Sequence, residues 1–239
     1  MCINDAQTAM TRTHVRERVR DPYTAFSDRE EAGRRLVEFI DPEPDPEGVV
    51  MTVPRGGVPV GRPLAAALGC PLQLILTRKL PVPTSPEAGF GAVSLESGLV
   101  LNDRMVNSIG ISDDRIDEIV GEVREELRRR AREYDVGTGP ASLEGRHIYL
   151  VDDGLATGYT MIAAAKEMRA HEPGKLTLAV PVSPTDSLDR VGNYVDETYC
   201  LICQTSFPFA VASFYARFEE MSDEQVRRIL REAEARRAD

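Results

Sequence analysis

Five short apolar runs, separated by stretches of helical periodicity, constrain this 239-residue chain more than any other feature. They are "VVMTVP" (49–54), "LQLILT" (72–77), "HIYLV" (147–151), "KLTLAVPV" (175–182) and "ETYCLI" (197–202). None alternates apolar with polar residues over its length, so each predicts a strand buried on both faces. Between the first two, "PVGRPLAAALG" reads as a helix ending at Gly69, and "TMIAAAKEMRAH" is a second helix after the third run. Strands alternating with helices require crossover connections. The expected fold class is therefore α/β, a parallel central sheet flanked by helices.

Further helices flank this core. "SDREEAGRRLVEFI" opens with a capping box, Ser27 to Glu30, and sets Ala32, Leu36, Phe39 and Ile40 on one face. "SDDRIDEIVGEVREELRRRAREY" starts at the N-cap Ser112, and "SDEQVRRILREAEARR" starts at a box from Ser222 to Gln225. Residues 81–90, rich in proline, read as a loop, and "GAVSLESGLVL" as a hairpin turning at 96–98. Residues 1–22 lack apolar periodicity and read as a mobile tail, which leaves 23–239 as one domain.

Composition excludes several classes. With 39 acidic and 29 basic residues the net charge is −10, which disfavours nucleic-acid binding. No apolar stretch approaches the roughly 20 residues of a membrane span. The charged N-terminal stretch lacks the apolar core of a secretory signal, so a cytoplasmic location is expected. Cys2, Cys70, Cys200 and Cys203 lack a second Cys/His pair at zinc spacing and read as core thiols. His14, His147 and His171 read as tail, strand-opening and helix-end residues respectively, none of them catalytic.

In an open parallel sheet, ligands bind beyond the carboxyl ends of the strands. Three predicted strand ends carry unusual residues there: "PRGG" (54–57), "RKLP" (78–81) and "DDGLATGYT" (152–160). In the third, Gly154 and Gly158 permit a tight turn, Thr157 and Thr160 offer hydroxyls, and a helix begins at once, its free N–H groups forming an anion cradle. The loop lacks the lysine of a Walker motif. Asp152 and Asp153 either cap that helix or face something other than the anion, such as sugar hydroxyls or a magnesium ion near them.

"VDDGLATGYT" resembles the phosphoribosyl pyrophosphate (PRPP) signature of type I phosphoribosyltransferases, and the pattern is similar to members whose base is unassigned. The resemblance spans about 28–230. It implies a parallel sheet with a flexible lid hairpin, here about 81–102, and a small C-terminal hood, about 203–220. It implies Mg²⁺-dependent transfer of phosphoribose from PRPP to a nitrogenous base with loss of pyrophosphate. By the same resemblance Asp152 and Asp153 hold the ribose hydroxyls and meet the metal indirectly, through ribose or water. Gly154, Leu155, Ala156, Thr157, Gly158, Tyr159 and Thr160 hold the 5′-phosphate. Arg55, Gly56, Gly57, Arg78 and Lys79 hold pyrophosphate, with Arg55 and Lys79 also assisting catalysis. Phe207, Phe209 and Tyr215 of the hood offer rings to the base. A homodimer is expected, as is common in the family. The alternative is a PRPP-binding regulator without turnover, against which "RGG" and "RK" stand, because a sensor needs no leaving-group site.

Overall fold

The structure, a computed structural model, describes residues 11–134 and 142–238. In chain order its elements are β1 (Arg12–Val19), α1 (Arg29–Ile40), β2 (Val49–Thr52), α2 (Gly57–Leu68), β3 (Leu72–Leu74), β4 (Thr77–Val82), β5 (Ser85–Ser94) and β6 (Leu99–Leu101). There follow α3 (Asp103–Ile109), α4 (Asp113–Glu133), β7 (His147–Val151), α5 (Tyr159–Ala170), β8 (Lys175–Pro184), α6 (Thr185–Gly192) and β9 (Glu197–Gln204). A 3-10 turn (Val211–Phe214) and α7 (Asp223–Ala238) complete the list.

The apolar runs do what their lack of alternation requires. Val49, Val50, Met51 and Thr52 are all buried, as are Ile148 to Val151. Six strands form a wholly parallel sheet in the order β1-β9-β8-β7-β2-β3. One face packs Leu36, Leu64 and Leu68 of α1 and α2 against Val50, Tyr149 and Ile202. The other packs Met161, Ile162 and Ala165 of α5 against Met51, Leu150 and Leu178. Because β2 and β7 are parallel neighbours whose following helices lie on opposite faces, the strand order reverses between them. The carboxyl ends of such a pair border the crevice in which open sheets bind ligands.

Four expectations need correction. Residues 12–19 are not part of a mobile tail but pair in parallel with β9 at the sheet edge. His14 stacks on Tyr199 at 4.6 Å and meets Glu197 at 2.9 Å, tertiary contacts that the charged sequence "RTHVRERV" does not announce. The run 72–77 ends as a sheet strand at Leu74, and Thr77 already belongs to a second, three-stranded antiparallel sheet, β4-β5-β6. Residues 81–90 are mostly strand, because Leu80, Val82 and Phe90 have an apolar partner in Ile116, Val120 and Leu127 of α4. Pro81 is accommodated by a register irregularity on the edge strand β4, where a missing N–H is tolerated. Finally, the N-cap of α1 is Asp28 rather than Ser27: its carboxylate accepts from the Glu31 N–H at 2.9 Å, while Glu31 accepts from the Ser27 N–H at 2.6 Å. The box is the same device moved by one residue.

The hairpin turning at 96–98 is present, and it is tied to α5. The Glu96 N–H donates to the Glu167 carboxylate at 2.9 Å and Lys166 Nζ donates to the Leu99 carbonyl at 2.9 Å. Within the expected lid the β4–β5 turn at Pro83 to Ser85 is exposed, as are Glu96 and Ser97 at the second turn. At 203–220 the chain is strapped to the segment before α1: Ala25 and Phe26 N–H groups donate to the Phe214 carbonyl, and Ala216 N–H returns to the Phe26 carbonyl. Cys70, Cys200 and Cys203 are buried free thiols, and Cys2 lies outside the described residues. Among the described residues no helix is long and apolar enough to cross a membrane, and no group of three metal-ligating side chains occurs.

His147 opens β7 as expected, with Nε2 2.8 Å from Thr177 Oγ1 and its ring stacked on Tyr149 at 3.9 Å. Burial, reinforced by the Lys175 charge, pushes its pKa down to about 4. The unfolded chain takes up this proton near pH 6.5 and the folded one resists until far lower, so stability falls as pH drops through that window. His147→Gln is expected to flatten the dependence of Tm on pH between about 6.5 and 4, removing on the order of 2 kcal/mol of acid sensitivity. Parallel melting curves for wild type and variant across that range would contradict this.

Candidate active site

The loop after β7 is built from small residues because its surroundings leave no room. A Cβ on Gly154 would meet Val182 and Val211 methyls at 2.7 and 2.8 Å. Leu155 is buried, with its N–H on the Val182 carbonyl at 2.9 Å. The Ala156 carbonyl accepts from Ser187 Oγ at 2.7 Å and the Thr157 carbonyl from Arg190 at 2.6 Å, so α6 occupies the loop's acceptors. Gly158, at φ 81°, ends the loop and caps α5 without a side-chain partner for the helix. The first helical bond runs from the Ile162 N–H to the Gly158 carbonyl, leaving the N–H groups of Tyr159, Thr160 and Met161 without helical acceptors. Exposed Thr157 and half-buried Thr160 flank this end. Such a terminus favours an anion through both its donors and its dipole.

The two acids sit between this loop and the loop after β2. Asp152 Oδ1 accepts from the Asp153 N–H at 2.8 Å. Asp153 Oδ2 accepts from Arg29 Nε at 2.7 Å, and the two side chains are only 15% and 13% exposed. Burial pushes the Asp152 carboxyl well above the ordinary carboxylate range, and the Asp153 charge pushes it further. Burial also raises Asp153, against the opposing pull of Arg29. Across the crevice, a Cβ on Gly56 would lie 2.0 Å from Asp153 Oδ2, and one on Gly57 2.8 Å from the Val151 carbonyl. The "PRGG" and "DDG" segments therefore touch, and the glycines are what permits it.

Other expected site residues lie elsewhere. Arg55 turns towards α7, 3.9 Å from both Glu220 and Asp223. Arg78 is on β4 with its guanidinium on Glu126 at 2.6 Å, and Lys79 is exposed beside it. Among the described residues neither makes a hydrogen bond or ion pair with the two loops. The surface ion pair that a strand-end arginine would ordinarily make is what Arg78 forms. Phe207 is 75% exposed, and Phe209 packs on Phe214 at 5.7 Å. Tyr215 does not present an open ring: it is buried against Phe26 and Phe218, and its hydroxyl donates to the Asp153 carbonyl at 2.7 Å. It supports the acidic loop from below.

Arg29 is the residue that sequence reasoning missed. A cation in the first turn of a helix opposes the macrodipole, and here it interrupts Asp28, Glu30 and Glu31. That misfit was the available signal that the side chain serves something beyond its own helix.

These observations place two carboxylates between two glycine loops at the carboxyl ends of a doubly covered parallel sheet. A family model described as "Phosphoribosyl transferase domain" matches residues 21–219. The chain belongs to the phosphoribosyl transferase family, and its parallel sheet is flanked by helices on both faces. It is 40% identical over 201 residues to the Mycobacterium tuberculosis protein named "Putative phosphoribosyl transferase Rv0571c", covering 84% of this chain and 45% of that one. The chain thus spans about half the length of the curated relatives it matches. The crystal structure of TT1426 from Thermus thermophilus superposes with a TM-score of 0.72 at 35% identity, over 87% of this chain and 98% of that one.

Proposed function

We propose that the chain transfers the 5-phosphoribosyl group of PRPP to a nitrogen nucleophile, with release of pyrophosphate. The observation that carries this reading is the contact of the two loops through Gly56 and Asp153 beside the α5 N-terminus. One anion cradle, two carboxylates and a second glycine loop then lie in line, matching a ligand with a phosphate, a diol and a diphosphate. In this arrangement the N–H groups at 159–161 and the Thr157 and Thr160 hydroxyls hold the 5′-phosphate. Asp152 and Asp153 accept from the ribose hydroxyls and stabilise positive charge that develops at the anomeric carbon. The Gly56 N–H, which has no acceptor among the described residues, receives the pyrophosphate, while the Gly57 N–H is held by the Val53 carbonyl at 3.0 Å.

The donor set fits magnesium of the kind that keeps its waters: Asp152 retains one carboxylate oxygen without a protein donor, and no all-protein cage surrounds it among the described residues. Bound there through the ligand, Mg²⁺ would neutralise the leaving group's charge. Arg55, on long 3.9 Å contacts to exposed or half-exposed acids, is free to turn to the same group. The exposed β4–β5 turn is the part of the chain available to cover the ligand and exclude water. The acceptor is a nitrogenous base that the hood, about 203–220, selects, and the assembly is a homodimer.

The test is pyrophosphate release from PRPP and magnesium over a panel of nitrogenous bases and amines, with the Asp152→Asn/Asp153→Asn variant as the inactive reference. PRPP binding without turnover on any acceptor would favour a regulator. Absence of PRPP binding would end the reading.

A further inference from the structure

Arg29 lies on α1, far in sequence from both loops, yet its guanidinium closes three contacts at once. Nε donates to Asp153 Oδ2 at 2.7 Å, Nη1 donates to the Glu219 carbonyl at 2.8 Å, and the plane lies over the Phe218 ring at 3.8 Å. Phe218 in turn packs on Tyr215, whose hydroxyl holds the Asp153 carbonyl. Asp153 is thus fixed at its backbone by one hood residue and at its carboxylate by an arginine that is itself fixed by the hood. The Cβ position of Gly56 lies 3.2 Å from Arg29 Nε, so the same group also borders the "PRGG" loop.

We propose that Arg29 is a positioning residue for Asp153 that ties the C-terminal hood to the ribose end of the site. The inference rests on the phosphoribosyl reading and adds to it a division between the two acids. Asp152 faces ligand with one oxygen free of protein donors, whereas Asp153 is aimed by the guanidinium and keeps only Oδ1 for ligand. The planar fork suits the role: it serves two acceptors in fixed directions while stacking its face on a ring. A lysine carries the same charge but cannot make all three contacts.

The experiment measures PRPP affinity by calorimetry, with magnesium, for wild type, Arg29→Lys, Arg29→Gln, Asp153→Asn and the Arg29→Gln/Asp153→Asn double variant. Arg35→Gln, which removes a half-buried pair with Glu31 on the same helix, is the control and should bind as wild type does. Arg29→Gln and Arg29→Lys should each weaken binding by at least roughly tenfold, as expected for losing a charge-assisted contact. The double variant should be no weaker than the worse of its two single variants, because both act through one pair. Added ethylguanidinium should restore part of the affinity of Arg29→Gln, which a general loss of stability would not allow. If Arg29→Gln does not fold, Arg29→Lys decides the matter. Wild-type affinity in both Arg29 variants, or strict additivity with Asp153→Asn, would overturn the inference and leave the phosphoribosyl reading standing. Failure of the wild type to bind PRPP would remove both.

Discussion

Gly56→Ala is expected to lower PRPP affinity at least roughly hundredfold, through a single methyl group. The backbone is not the reason: Gly56 has φ −63° and ψ −34°, a conformation any L-residue adopts. The reason is space. The added carbon would lie 2.0 Å from Asp153 Oδ2 and 2.6 Å from its Cγ, and the carboxylate cannot retreat without leaving Arg29. Separating a buried ion pair costs about 3–5 kcal/mol, and moving the loop instead displaces the Gly56 N–H from the anion that the proposed function assigns to it. Either outcome spoils the site, and about 3 kcal/mol is already roughly a hundredfold in affinity. Gly121→Ala is the matched control. Gly121 lies exposed inside α4 with nothing within 4 Å of its Cβ position, so alanine there should raise stability by about 0.5–1 kcal/mol and leave binding alone. Calorimetry and melting curves on both variants check the pair of outcomes. Wild-type affinity in Gly56→Ala would mean that the two loops do not meet as described.

The parts legible in the sequence were those specified locally. Unalternating runs marked β2, β7, β8 and β9, and the Gly/Thr composition after Val151 marked the anion loop. What sequence could not show was specified across the fold. β1 carries Arg12, Arg16, Glu17 and Arg18 and no apolar period, so its order comes from Tyr199, Glu197 and the β9 backbone. The three prolines at 81, 83 and 86 argued for loop, but propensity yielded to the apolar surface of α4. The site followed the same division. The acids and glycines were visible because one stretch of chain contains them. The Arg29 clamp joins residues 29, 153 and 219 and has no local signature except a cation at the wrong end of a helix. Tyr215 was visible as an aromatic ring but not as a buried hydroxyl donor, since only its surroundings distinguish a stacking face from a support.

Asparagine at the two acid positions should separate them by the size of the stability gain. Asp152→Asn is expected to raise Tm at neutral pH while removing PRPP binding. Burial and the neighbouring Asp153 charge raise the Asp152 pKa, so the folded chain holds this proton more tightly than the unfolded one does. That favours the fold at low pH and turns against it as pH climbs above the ordinary carboxylate range, near about 4. Asparagine can keep the Oδ1 bond from the Asp153 N–H and carries no charge to bury. Each pH unit of relieved mismatch is worth about 1.4 kcal/mol, or about 3–5 °C for a chain of this size. The gain should vanish below about pH 4, where aspartic acid is itself neutral. Asp153→Asn should not share this gain: burial raises the Asp153 pKa too, but Arg29 opposes the rise, and asparagine leaves the 13%-exposed guanidinium without its carboxylate. Melting curves of both variants from about pH 4 to 8 measure the contrast. Equal destabilisation by both would show that Asp152 is held by the fold rather than poised for a ligand, and the assignment of that carboxylate to the ribose would fail with it.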